Sequence, residues 1–234
     1  MDRRQFNGFS ITALGLLTSL ATLQAHALTL ADLSNADASK GLKTALEKSA
    51  LSAVSILGVT DGFMGNEKVR IPLPGYLNDA TSLLRALGQG ARIDELLLAM
   101  NRGAEAAVPM AKNLLVGAVK NMSLNDAKGI LAGGDTAVST FFEEKTRPQL
   151  GIQFLPIVSK ATEKVGLVDK YNQLAGKASD MGLMKKEDAN IQQYVTTKTL
   201  DGLFFMIAEE EKKIRQNPVA YGSAILTKVF GAIQ

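Results

Sequence analysis

The chain has 234 residues, with 26 Lys and Arg against 23 Asp and Glu, one histidine, and neither cysteine nor tryptophan. The net charge of +3 is a mild imbalance, not the concentrated basic footprint of a nucleic-acid binder. Without cysteine, disulfides and thiolate chemistry are excluded, and stability must come from packing.

The first 27 residues have the three parts of a secretory signal. Arg3 and Arg4 supply the positive start, Phe9 to Leu23 an apolar stretch, and Ala25-His26-Ala27 an A-x-A cleavage site. The stretch is shorter than the ~20 apolar residues that a membrane-spanning helix needs. Arg3-Arg4-Gln5-Phe6 partly matches a twin-arginine export signal, so both that route and the Sec route stay open. The expected destination is a bacterial periplasm. Cleavage after Ala27 removes the only histidine and leaves 207 of the 234 residues, enough for one domain with a sizeable core. The mature chain is then without an imidazole for Ser-His or Cys-His catalysis and without His or Cys ligands for zinc, haem or iron–sulfur sites. No cofactor is expected, nor a transmembrane segment beyond the signal.

From residue 38 onward, apolar residues recur at spacings of three and four, which predicts an all-α single domain of about eight to ten helices. Residues 38–57 carry Leu42, Leu46, Ala50, Ala53, Val54 and Leu57 on one stripe, closed by Gly58. Residues 58–76 read as irregular, with Pro72 and Pro74 enforcing extended backbone. Asp61 to Glu67 faintly resembles a calcium loop but lacks the D-x-D-x-D spacing. Helices are predicted over 77–87, over 91–107, and from Pro109 to Asn121. Ser123-Leu-Asn-Asp126 forms a capping box for a short helix to Leu131. Gly133-Gly134 breaks it. Asp135 reads as the cap of the next helix, or alternatively as part of an anion site at its N-terminus. That helix carries Val138, Phe141 and Phe142. Pro148 is expected to start another helix, and Pro156 to kink or restart it. A short piece near 167–176, a polar turn over 177–188, a long helix over 189–216 capped by Asp188, and a last helix over 219–232 complete the chain.

The long helix is the most unusual segment. Leu200, Leu203, Phe204, Ile207 and Ile214 form one stripe while Phe205 and Met206 point elsewhere, so it is apolar nearly all round for two turns. Such a helix is central in its domain or walls a lipophilic pocket. Glu209 and Glu210 read as surface partners of Lys212 and Lys213. Glu211 lies on the apolar stripe and can pair with Arg215. It reads either as a solvated helix end or as a semi-buried acid holding a loop or ligand headgroup, and Asp201 carries the same two readings. Arg102, beside an apolar face, reads as a buried-edge ion pair or a headgroup contact. Phe141, Phe142 and Phe204 read as core, or as ligand contacts.

Arg70-Ile-Pro-Leu-Pro74, Met100-Asn-Arg102, Gly133-Gly-Asp135, Phe141-Phe-Glu-Glu-Lys-Thr146, Phe154-Leu-Pro-Ile157 and the segment Leu200 to Arg215 occur in that order. Together they resemble a family of exported bacterial proteins, domain of unknown function 4197, over about residues 40–230. The resemblance implies an all-helical envelope protein and transfers no catalytic residues. Some of its members resemble lipoproteins, whereas the cysteine that such anchoring needs is missing here. The leading expectation is a non-enzymatic periplasmic protein that binds an apolar or amphipathic ligand such as a fatty acid or phospholipid. The alternative is an interaction or structural module for an envelope partner.

Overall fold

A computed structural model describes residues 35–134, 136–182, 185 and 188–230. The signal-peptide reading and Asp135 therefore lie outside the described residues. All regular structure among the described residues is helical: α1 (Asn35–Leu57), α2 (Gly75–Asp79), α3 (Thr81–Ala86), α4 (Gly90–Ala107), α5 (Ala111–Lys120), α6 (Leu124–Ala132), α7 (Ala137–Thr162), α8 (Gly166–Asp180), α9 (Ile191–Gln216) and α10 (Ala224–Phe230). Short 3₁₀ turns at Val108–Met110 and Pro218–Tyr221 lead into α5 and α10.

The helix α9 sits at the centre, packed chiefly against α7 and α1, and α4 packs against α7 and, less extensively, α9. Its burial follows its composition. Ile191, Val195, Leu203, Phe204, Ile207 and Ile214 are all buried, and only a narrow outer strip reaches solvent. The predicted α1 stripe is buried as well, through Leu42, Leu46, Ala50, Ala53 and Leu57. Phe63, Phe142, Phe154 and Phe204 are the largest fully buried side chains of this core. Each contributes on the order of 1.5–3 kcal/mol through removal from water.

Local chemistry sets most boundaries. The Ser123 hydroxyl accepts from the Asp126 amide at 3.0 Å while the Asp126 carboxylate accepts from the Ser123 amide at 3.0 Å, closing the capping box of α6. These Ser123 bonds, backbone first, and the Lys145 ammonium hold the Asp126 carboxyl below its ordinary value. Gly222 takes a left-handed conformation (φ +63°) that separates the 3₁₀ turn from α10.

Three boundary expectations are corrected. Pro148 does not start a helix and Pro156 does not restart one, because α7 runs unbroken through both. Both prolines are exposed, so the carbonyls they leave unbonded at Glu144 and Ile152 face water. Burial of Phe142, Leu150, Phe154 and Val158 along the opposite side outweighs the local penalty. The cap of α9 is Asn190, whose side-chain oxygen accepts from the Gln193 amide at 3.0 Å, and not Asp188. The stretch expected as a polar turn from 177 is helical to Asp180.

Candidate functional site

The connection between α1 and α2 is irregular but firmly held. From Lys68 to Leu73 its side chains alternate: Val69, Ile71 and Leu73 are buried, and Lys68, Arg70 and Pro72 are exposed. Lys68 and Val69 belong to a turn in which the Val69 and Arg70 amides donate to the Asn66 carbonyl, and from Arg70 onward the alternation follows the extended backbone that Pro72 and Pro74 favour. Three side chains of α4 and one of α9 fasten it. Asn101 Oδ1 accepts from the Ile71 amide at 2.8 Å, and its Nδ2 donates to the Ile71 carbonyl at 3.0 Å. Glu105 Oε1 accepts from the Phe63 and Met64 amides at 3.1 and 3.0 Å. Arg102 Nη1 donates to Glu105 Oε2 at 2.6 Å, and its Nη2 to Asp61 Oδ1 at 2.8 Å. Tyr194 on α9 donates its hydroxyl to the Pro72 carbonyl at 3.1 Å.

Gly202 completes the fit. A Cβ there would stand 2.9 Å from Phe63 Cε1 and 3.3 Å from Val69 Cβ, so the segment rests directly against the α9 backbone. The effect is to place Lys68, Arg70 and Pro72 beside the outer strip of α9.

That strip carries Lys198, Asp201, Phe205, Ala208, Glu209 and Lys212. Phe205 is 42% exposed, on a helix whose neighbouring residues Phe204 and Met206 are buried. Two clefts meet at Asp201 and Phe205. One, of about 230 Å³, is lined by Lys68 to Pro72, Lys198, Asp201, Gly202 and Phe205. The other, of about 390 Å³, reaches the start of α7 at Thr136, Ser139 and Glu143 and ends at Glu209 and Lys212. Together they form one groove with an aromatic side chain at its middle.

The charges of the groove are mostly paired. Arg147 Nη2 donates to Asp201 Oδ1 at 2.7 Å and lies 3.5 Å from Glu143, while its guanidinium stacks 5.3 Å over the Phe204 ring. Lys198 is 3.5 Å from Asp201, and Lys68 is 2.8 Å from Glu209. The Lys68 bond holds the Glu209 carboxyl below its ordinary value. Arg70 is the exception. Its exposed guanidinium has no hydrogen-bond or ion-pair partner among the described residues.

The residues singled out in the sequence separate into different places. Asp201 lies in the groove. Phe204 is directly behind it, buried in the core beneath Arg147. Arg102 uses its guanidinium in the clamp of the 58–74 segment. Phe142 is core, and Phe141, edge-to-face with it at 5.3 Å, borders a separate cleft of about 320 Å³ between α5, α6 and α7. Glu211 is a buried acid held by Arg215 through Nε at 3.1 Å and Nη2 at 2.8 Å. Glu210 departs from expectation: it is only 5% exposed, and it accepts from Ser52 of α1 at 2.6 Å as well as from Lys213. Glu209 reaches across to Lys68 of the 58–74 segment.

Asn101, Glu105, Arg70 and Phe205 were not among the residues singled out. The inward–outward alternation from Lys68 to Leu73 was the available signal for Arg70. No sequence signal pairs a carboxylate on α4 with amides some 40 residues earlier.

Among the described residues, no group of three or more His, Cys, Asp or Glu side chains could hold a metal. Within the same residues, no helix is long and apolar enough to cross a membrane. No curated protein and no solved structure matches the chain. A family whose description is "protein of unknown function (DUF4197)" matches residues 32–231, and the chain, with its segments in the order expected of that family, belongs to it.

Proposed function

We propose that this protein is an exported, non-enzymatic binding module of the bacterial envelope. In this reading the groove around Phe205 holds an amphipathic ligand, with the apolar part over Phe205 and Ala208 and the polar part among the charged rim. One observation carries it: the central helix buries its large apolar side chains but leaves Phe205 exposed where two clefts join. Ligand sites combine an apolar surface with a few placed polar groups, and this groove has both. The clefts described lie at the surface with charged linings, so the ligand rests in the groove and not within the packed core.

The openness of the groove favours one second reading. A shallow cleft with a central aromatic and a polar rim also suits an anchor residue of a partner protein. Native mass spectrometry of detergent-free protein purified from the periplasm tests the first reading. A stoichiometric adduct of amphiphile mass that is lost in Phe205→Ser supports it. Bare protein together with a Phe205-dependent crosslink to one envelope protein favours the second.

A further inference from the structure

We infer that the occupant of this groove is a single-chain amphiphile whose anionic head is held by Arg70; the inference rests on the ligand-binding reading above. Two independent features lead to it. The first is charge. Each acid in the groove already has a cation: Asp201 has Arg147 and Lys198, Glu143 has Arg147, and Glu209 has Lys68. Among the described cations of the groove, Arg70 is the one left over, at the end lined by Lys198. A guanidinium presents a planar fork that matches a carboxylate or a phosphate through two parallel hydrogen bonds, and the match is stronger than for a neutral head. A cationic head would meet Arg70 and Lys198 and be repelled.

The second feature is size. The cleft beyond Phe205 measures about 390 Å³. At roughly 30 Å³ per methylene, about the volume of a water molecule, it accommodates one acyl chain of about a dozen carbons and not two. The Phe205 ring lies between the two clefts, where the chain passes from head to tail.

The test is calorimetric titration of the protein with dodecanoate, dodecyl phosphate and dodecyltrimethylammonium, each below its micellar concentration, for the native chain, Arg70→Gln and Phe205→Ser. Both substituted side chains are exposed, and a circular dichroism spectrum matching the native one checks that each variant is folded before titration. The expected result is one site that binds dodecanoate and dodecyl phosphate each about five- to tenfold tighter than the ammonium probe. Arg70→Gln removes the preference and keeps a weaker, chain-dependent affinity. Phe205→Ser weakens all three probes about tenfold. If the native chain does not discriminate between heads, or if Arg70→Gln retains the preference, the head assignment is overturned while the groove reading stands. Saturable binding that ignores Phe205→Ser, or no saturable binding at all, overturns both.

Discussion

Removing the Glu105 carboxylate is the perturbation that most directly probes how the groove wall is held. Its side chain is 5% exposed and answers three donors: the Phe63 and Met64 amides on Oε1 and the Arg102 guanidinium on Oε2. In Glu105→Ala the buried Phe63 amide loses its partner outright, at a cost of about 1–3 kcal/mol. The Met64 amide is half-buried and recovers part of its loss from water. Arg102 keeps Asp61 and is itself partly solvated, so it adds little. The sum is about 2–4 kcal/mol. For a domain of this size, 1 kcal/mol shifts the melting temperature by about 2–4 °C, so Glu105→Ala should lower Tm by roughly 4–16 °C. Glu105→Gln keeps a carbonyl for the two amides but turns an NH2 toward Arg102. It should cost about half as much. Circular dichroism melts of the two variants and the native chain give the answer. A Glu105→Ala variant melting within 2 °C of native would refute the claim that this carboxylate fastens the 58–74 segment.

Gly202→Ala should destabilise by about 1 kcal/mol, whereas a mid-helix Gly→Ala change ordinarily stabilises; the displaced Phe63 ring outweighs the gain in helix propensity. Gly202→Val should exceed 3 kcal/mol, and a raised Tm for the alanine variant in urea or heat would contradict the close approach. Pro156→Ala, at an exposed position inside α7, should stabilise by about 1–2 kcal/mol by restoring a helical N–H; a loss of stability would show that the proline has a role beyond being tolerated. Burial, together with the charge of Asp188, raises the Tyr171 and Tyr194 hydroxyls from 10 to about 12. Because the fold favours their neutral forms, this stability is fully present below pH 10 and is lost as pH rises through 12. With no tryptophan in the chain, absorbance at 295 nm follows the four tyrosines cleanly, and one ionisation wave near pH 10 in still-folded protein would refute the burial of these two.

How much of this was legible in the sequence depends on the range of the interactions. The stripe on α1, the capping box of α6 and the central place of α9 are local patterns of three and four, and each is found where the spacing puts it. Pro148 and Pro156 misled because the local penalty is all that the sequence displays; the compensating burial of Phe154 and Val158 comes from helices elsewhere in the chain. Glu210 misled for the same reason, since its partner Ser52 lies 158 residues away. The groove was the least legible feature. Phe205 could be seen to lie off the main stripe, but whether it was buried on a second side depended on what packed there. Its walls come from residues 68–72, the start of α7 and α9, and no short-range pattern joins them.

The central claim is that Phe205 marks a ligand groove. Dodecanoate titration of the native protein against Phe205→Ser, observed by ¹⁵N-resolved NMR, tests it most directly. The account predicts saturable shifts confined to residues 68–72, 136–143 and 198–212, and an affinity that falls about tenfold in the variant. Shifts centred elsewhere, or an affinity unchanged by the substitution, would contradict it.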